Sequence, residues 1–245
     1  MSVQDKTVIV TGGASGIGRA SALLLAEQGA KIVIADRDAE GARRVSEEIA
    51  GEFGDAIDIA FDVGDSADVA RMVSQAKLRY GRIDVLLHAA GVCPRKHVLD
   101  LTDDDWRDVL RINLDGTFYV TREVGKAMVE QKSGTMILIT SDRGVYGSID
   151  YAHYAASKGG MIALMKSLAL ALGRHGVTVN GINPGLTDTP LARANVTGWQ
   201  SKTELDVLGK VSQPAEIAQT VLFLAGTGGA YMTGQMVSTR MRYGQ

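Results

Sequence analysis

The stretch from Thr7 to Gln28 constrains the fold more than any other part of the chain. A continuous apolar strand, Thr7–Val10, runs into Thr11-Gly12-Gly13-Ala14-Ser15-Gly16-Ile17-Gly18. That glycine-rich turn opens a helix over Ile17–Gln28, with Ala22, Leu25 and Ala26 at helical spacing. Gly29 stops the helix, the usual place for a glycine. A strand apolar at successive positions expects cover on both faces, which is the habit of parallel sheets. The unit then repeats. Lys31–Ala35, Ala56–Phe61 and Val85–Leu87 read as strands, and Ala39–Ala50 and Ala67–Tyr80 as helices, the latter ended by Gly81.

The rhythm continues in the second half. Thr102 and Asp105 form a weak capping box that starts a helix near Asp103. Helices follow over about Gly116–Glu130 and Tyr151–Leu172, with strands at Thr135–Ile139 and Thr178–Ile182. Residues Pro184–Leu208 read as irregular with a helical piece. Pro214 opens a helix to about Leu224, and a short strand lies near Gln235–Val237. Repeated strand–helix–strand units with right-handed crossovers predict an α/β fold, a Rossmann-type doubly wound parallel sheet with helices on both faces. No linker, repeat or composition break divides it, so one domain over residues 1–245 is expected.

Composition narrows the partners. The chain has 45% hydrophobic and 22% charged residues and a net charge of −2, as expected for a folded globular protein. No polybasic run suggests nucleic acid or a membrane surface, and no uninterrupted apolar run approaches the roughly 18–20 residues of a membrane span. The N-terminus resembles neither a signal nor a transit peptide, so a cytoplasmic location is expected. The lone cysteine, Cys93, excludes an intrachain disulfide and reads as packing or a chance pocket position.

The glycine turn points to a dinucleotide. Helix N-termini offer unpaired N–H groups and partial positive charge, which suit a pyrophosphate, and glycines let it approach. Asp36 closes the second strand, where a carboxylate accepts hydrogen bonds from ribose hydroxyls and repels the 2′-phosphate of NADP. Ser15, in place of a basic residue in the loop, agrees with NAD; Arg37 argues the other way.

Tyr154 and Lys158 lie at i and i+4 on the long helix, on one face. An ammonium beside a phenol is expected to lower the phenol pKa from about 10 toward neutrality, where it exchanges protons efficiently. Ser141 follows the strand Thr135–Ile139 at the C-terminal edge of the sheet, where open α/β folds bind ligands. Asn113 is a polar residue flanked by apolar ones in a helical stretch. Asn183-Pro184-Gly185 follows the next strand at the same edge.

With these motifs in this order, nearly the whole chain resembles the short-chain dehydrogenase/reductase family, in its soluble single-domain branch. The resemblance implies Tyr154 as general acid/base and Lys158 as the residue that holds the nicotinamide ribose and depresses the Tyr154 pKa. It implies Ser141 as hydrogen-bond partner of the substrate oxygen and Asn113 as anchor of a water in a proton relay. Gly12, Ser15, Gly16, Ile17 and Gly18 would hold the pyrophosphate, with Asp36 and Arg37 at the adenosine ribose. Asp62 and Val63 would contact adenine, and Ala89, Ala90 and Gly91 would line the cofactor. Thr187 and Thr189, after Pro184 and Gly185, would reach its carboxamide or pyrophosphate side.

Two departures stand out. The family turn Asn-Asn-Ala-Gly reads His88-Ala89-Ala90-Gly91 here, and His88 is expected to replace the structural bonds of an asparagine. The tail, Ser238-Thr239-Arg240-Met241-Arg242-Tyr243, lacks the family's Asp-Gly-Gly turn, in a region that helps relatives build a tetramer. The expectation is an NAD-dependent oxidoreductase, a homotetramer, interconverting a secondary alcohol and its ketone. Polyols, sugars and hydroxy acids all remain open, and no metal is expected. Arg143, two residues past Ser141, is a candidate contact for a polar or anionic substrate, with Arg95, Lys96 and His153 nearby. Trp199, in a lid over 187–210, either covers the pocket or anchors packing. The competing readings are an NADPH-dependent ketone or 3-oxoacyl reductase and a non-catalytic dinucleotide-binding regulator.

Overall fold

The computed structural model describes residues 2–195 and 210–239. Among them, the strands β1 (Thr7–Thr11), β2 (Lys31–Asp36), β3 (Ala56–Ala60), β4 (Val85–His88), β5 (Gly134–Ile139), β6 (Val177–Asn183) and β7 (Met236–Ser238) form one seven-stranded sheet. Its order is β3-β2-β1-β4-β5-β6-β7, and every pairing is parallel. The order reverses direction between β1 and β4, which opens a crevice at their C-terminal ends.

The helices are α1 (Gly16–Glu27), α2 (Ala39–Glu52), α3 (Ser66–Tyr80), α4 (Asp103–Leu110), α5 (Gly116–Gln131), α6 (Arg143–Tyr146), α7 (Ala152–Leu172), α8 (Pro190–Asn195) and α9 (Pro214–Ala225). Successive strand residues point to opposite faces. Ile9, Val33, Leu86, Met136 and Val179 pack on one side with buried residues of α3, α5 and α7. Val8, Val10, Ile32, Leu87 and Ile137 pack on the other with residues of α1, α2 and α9. This two-sided burial is why the strands read as unbroken apolar runs.

The caps agree with the sequence. Thr102 and Asp105 close a reciprocal capping box at α4, and Gly81 ends α3 in the left-handed conformation. Two local features differ from expectation. Asn113 sits in a π-helical turn, Arg111–Asp115, between α4 and α5, rather than in regular α-helix. The segment Ala152–His175 is long and apolar enough to cross a membrane by length and composition, so the absence of an unbroken apolar run was too narrow a test. Here α7 packs against β6, α4 and α6.

Candidate active site

The crevice at the sheet reversal has a volume of about 470 Å³. Gly12, Ser15, Gly16, Ile17 and Gly18 form one wall, and Ala89, Ala90 and Gly91 the other. Asp36, Arg37, Asp62 and Val63 lie toward one end, and Tyr154, Lys158 and Thr189 also line it. Sequence reasoning missed Val92, Ile139, Pro190 and Leu191, which also line it. The signal for Val92 and Ile139 was their place beside the Ala89–Gly91 turn and Ser141.

The glycines fit a group that must come close to the main chain. Gly12 has φ +69°, and a Cβ there would stand 2.7 Å from Ala90 N. A Cβ at Gly18 would stand 2.1 Å from Gly12 O. The Ser15 side chain makes no cap bond to α1, and the first turn carries no acidic residue. The N-terminal N–H groups of α1 are therefore left to an outside anion. Asp36 accepts from Ala14 N at 3.0 Å and Asp38 N at 3.0 Å, so one carboxylate braces the glycine loop while lining the crevice. Asp62 accepts from Gly64 N and from Arg111 Nη1, and these bonds hold its carboxyl below the usual range against the opposing effect of burial.

At the other end, the Ser141 hydroxyl is near enough to the Tyr154 phenol to favour its ionised form. The Lys158 Nζ donates to Ile139 O at 2.7 Å and stands 5.7 Å from the centre of the Tyr154 ring. Here the expected pKa pattern is corrected. Burial raises the Tyr154 phenol well above its ordinary value, the Cys93 thiol adds to the rise, and only Ser141 and Arg143 oppose it. Burial also pushes Lys158 down, to about 8. Desolvation dominates the Tyr154 shift.

Asn113 is fully buried. Its Oδ1 accepts from Val92 N at 2.8 Å, and its Nδ2 donates to Val92 O and to Ser157 Oγ. Its main-chain carbonyl accepts from Thr117 Oγ1. A water anchored by Asn113 would share an atom already engaged.

Several predicted residues fall outside the crevice. Pro184, Gly185 and Thr187 do not line it, and the buried Thr187 hydroxyl turns back to Pro184 O at 3.3 Å. Ser141 and Arg143 lie on the Tyr154 side without lining it. Arg95 pairs with Asp150 at 2.6 Å and Lys96 with Asp105 at 2.5 Å. His153 is buried, and neither ring nitrogen has a hydrogen-bond partner. Trp199 lies outside the described residues. Cys93 is buried, 3.4 Å from Arg143 Nη1. Among the described residues, no cluster of three metal-ligating side chains occurs.

Ser141 is also tied to the end of the sheet. Asn183 Oδ1 accepts from Asp142 N at 2.9 Å, and the Asn183 carbonyl accepts from Thr239 N at 3.1 Å. The turn that carries Ser141 thus shares a residue with β7 and its exit.

Comparison with known proteins agrees with this architecture. Residues 12–239 match a family described as enoyl-(acyl carrier protein) reductase. The chain is 36% identical to the (2S)-[(R)-hydroxy(phenyl)methyl]succinyl-CoA dehydrogenase subunit BbsD of Thauera aromatica, over 97% of this chain and 96% of that one. It is 34% identical to the 3-oxoacyl-[acyl-carrier-protein] reductase FabG of Thermotoga maritima, over 97% of each. It superposes on a short-chain type dehydrogenase/reductase from Mycobacterium marinum with a TM-score of 0.92 at 29% identity, covering 97% of this chain and 94% of that one. Extended over almost the full length and joined to the glycine turn, Ser141, Tyr154 and Lys158, these matches show that the chain belongs to the short-chain dehydrogenase/reductase family of oxidoreductases.

Proposed function

We propose that this chain is an NAD-dependent dehydrogenase of a small secondary alcohol, working as a single domain over residues 1–245. One observation carries the reading. A single crevice runs from the Asp36 carboxylate, past a glycine turn at an open helix N-terminus, to Tyr154 and Lys158. The main chain of Gly12–Gly18 would hold a pyrophosphate, Asp36 the ribose hydroxyls, and Asp62 with Val63 the adenine. Bound there, the nicotinamide would supply the hydride acceptor. Ser141 would hold the substrate oxygen, and Tyr154 would take the proton from the substrate hydroxyl. The buried Lys158 ammonium, beside that phenol, would favour its ionised form.

Thr189 would contact the bound group directly. Pro184, Gly185 and Thr187 would act by shaping the strand exit behind it. The surface supports a homotetramer packed through α5 and α7, since Phe118 and Leu170 are exposed on those helices. Location in the cytoplasm, a small-molecule substrate, and no nucleic-acid or membrane partner complete the proposal.

A second reading, an NADPH-dependent 3-oxoacyl or ketone reductase, is favoured by Arg37, which also lines the crevice. The FabG match adds to it. Calorimetry with NAD and NADP side by side separates the two. NAD is expected to bind about tenfold or more tighter, a difference of about 1.4 kcal/mol. Preference for NADP selects the second reading, and binding of neither returns the non-catalytic one. Tyr154→Phe is expected to cut turnover on the order of a thousandfold while leaving NAD affinity in place.

A further inference from the structure

We propose that Arg143 selects a hydroxy acid as substrate, by pairing its guanidinium with the substrate carboxylate while Ser141 and Tyr154 hold the alcohol. The proposal rests on the dehydrogenase reading above and narrows it from polyols, sugars and acids to acids.

The first support is an imbalance of charge. Among the described residues, Arg19, Arg111, Arg122 and Arg143 are the half-buried arginines. Three of them meet a carboxylate: Arg19 with Glu48 at 2.7 Å, Arg111 with Asp62 at 3.0 Å, and Arg122 with Glu123 at 2.8 Å. Arg143 meets none. Its Nη1 faces the Cys93 sulfur at 3.4 Å, and its guanidinium carbon lies 3.7 Å from the centre of the Tyr151 ring. A thiol is a weak acceptor, and a ring face offsets only part of the cost of drying a cation. A planar guanidinium with unspent donors matches a carboxylate in fork geometry.

The second support is place. Arg143 opens α6, two residues past Ser141, and its charge reaches the Tyr154 phenol. The neighbouring Asp142 carboxylate accepts from Ser141 Oγ at 3.2 Å. Arg95 and Lys96, the other cations near this face, already hold Asp150 and Asp105.

The third support is rigidity. A Cβ at Gly144 would stand 2.7 Å from Gly159 N, so α6 is seated directly on α7 and fixes Arg143 relative to Tyr154. Tyr151 is buried, and its hydroxyl donates to Asn195 O at 2.5 Å, which holds the ring beneath the guanidinium. Preorganised donors cost little to order when the anion arrives.

The test titrates malonate, an unreactive dicarboxylate, by calorimetry into the protein alone and with NADH present. Wild type is compared with Arg143→Gln and Arg143→Lys. We expect wild type to bind malonate in at least one condition, Arg143→Gln to weaken it about tenfold or more, and Arg143→Lys to fall between. NAD affinity of Arg143→Gln is expected to match wild type, which shows the variant is folded. Malonate binding that is absent from wild type, or equal in wild type and Arg143→Gln, overturns the proposal. Failure of wild type to bind NAD would instead sink the dehydrogenase reading, a result separate from the malonate titration on protein alone. With activity in hand, the ratio of kcat/KM for 3-hydroxybutyrate over its methyl ester is expected to drop about tenfold in Arg143→Gln. An unchanged ratio counts against it.

Discussion

His88 joins two elements through one ring. Its Nδ1 lies 2.8 Å from Thr11 Oγ1 on β1, and its Nε2 lies 3.0 Å from Thr117 Oγ1 on α5. Burial, and after it the charge of Lys158, pushes its pKa down to about 3. In the unfolded chain the ring would titrate near 6.5, so between those values the unfolded state binds the extra proton. The stability this neutral ring provides is present above about pH 6.5 and is lost as pH falls toward 3. From pH 6.5 to 4.5 the loss is on the order of 3 kcal/mol, at about 1.4 kcal/mol per unit. Urea denaturation at pH 7 and pH 4.5 is expected to show that drop in wild type and a clearly smaller one in His88→Asn. Parallel drops would assign the acid sensitivity elsewhere. The sequence pointed to this structural role because His88 takes the first of the two asparagine positions in a turn that otherwise keeps the family's Ala-Gly. The charge state of Tyr154 was not readable the same way. The i, i+4 spacing puts Lys158 near the ring, but the degree of burial that reverses the shift is a property of the packed site.

At the scale of elements, boundaries marked by chemistry were legible. Gly29, Gly81, Thr102 and Pro214 each end or open a helix within a residue or two of where their type predicts. Thr102 shows why. Its Oγ1 accepts from Asp105 N at 3.1 Å, and the Asp105 carboxylate accepts from Thr102 N at 2.9 Å while also taking Lys96 Nζ. Thr102→Ala is expected to cost about 1 kcal/mol of stability with kcat near wild type, read by urea midpoint and initial rates. A loss confined to kcat would mean that α4 is coupled to the site rather than merely capped. Short features escaped sequence reading. α6 spans Arg143–Tyr146, and the π turn spans Arg111–Asp115. Neither is long enough to establish a period, and a π turn differs from an α turn in its hydrogen bonds rather than its residues. That turn turns Asn113 inward, to Val92 and Ser157, so an interior asparagine was a sound signal of a buried polar site without revealing the backbone that makes it.

The whole molecule carries a surface that the isolated chain leaves uncovered. On α7, Leu170 is 83% exposed, and on α5, Phe118 is 43% exposed beside the Arg122 guanidinium. Removing such apolar area from water stabilises by roughly 25 cal/mol per Å². Sedimentation is expected to give about four times the 26.0 kDa chain mass, and Leu170→Glu to shift it toward smaller species. A wild-type monomer at micromolar concentration would remove the tetramer. The doubly wound sheet was legible because each βαβ unit is local and repeated. Which helices are left for a second copy was not, since α7 reads the same whether its apolar face meets the sheet or another chain.

The bond network from Ser141 to Thr239 ties the catalytic turn to the edge of the sheet. Asn183 holds Asp142 with its side chain and Thr239 with its carbonyl, and its Nδ2 donates to Ser238 Oγ at 3.4 Å. A change that displaced Thr239 would tug on the same residue that sets the active-site turn.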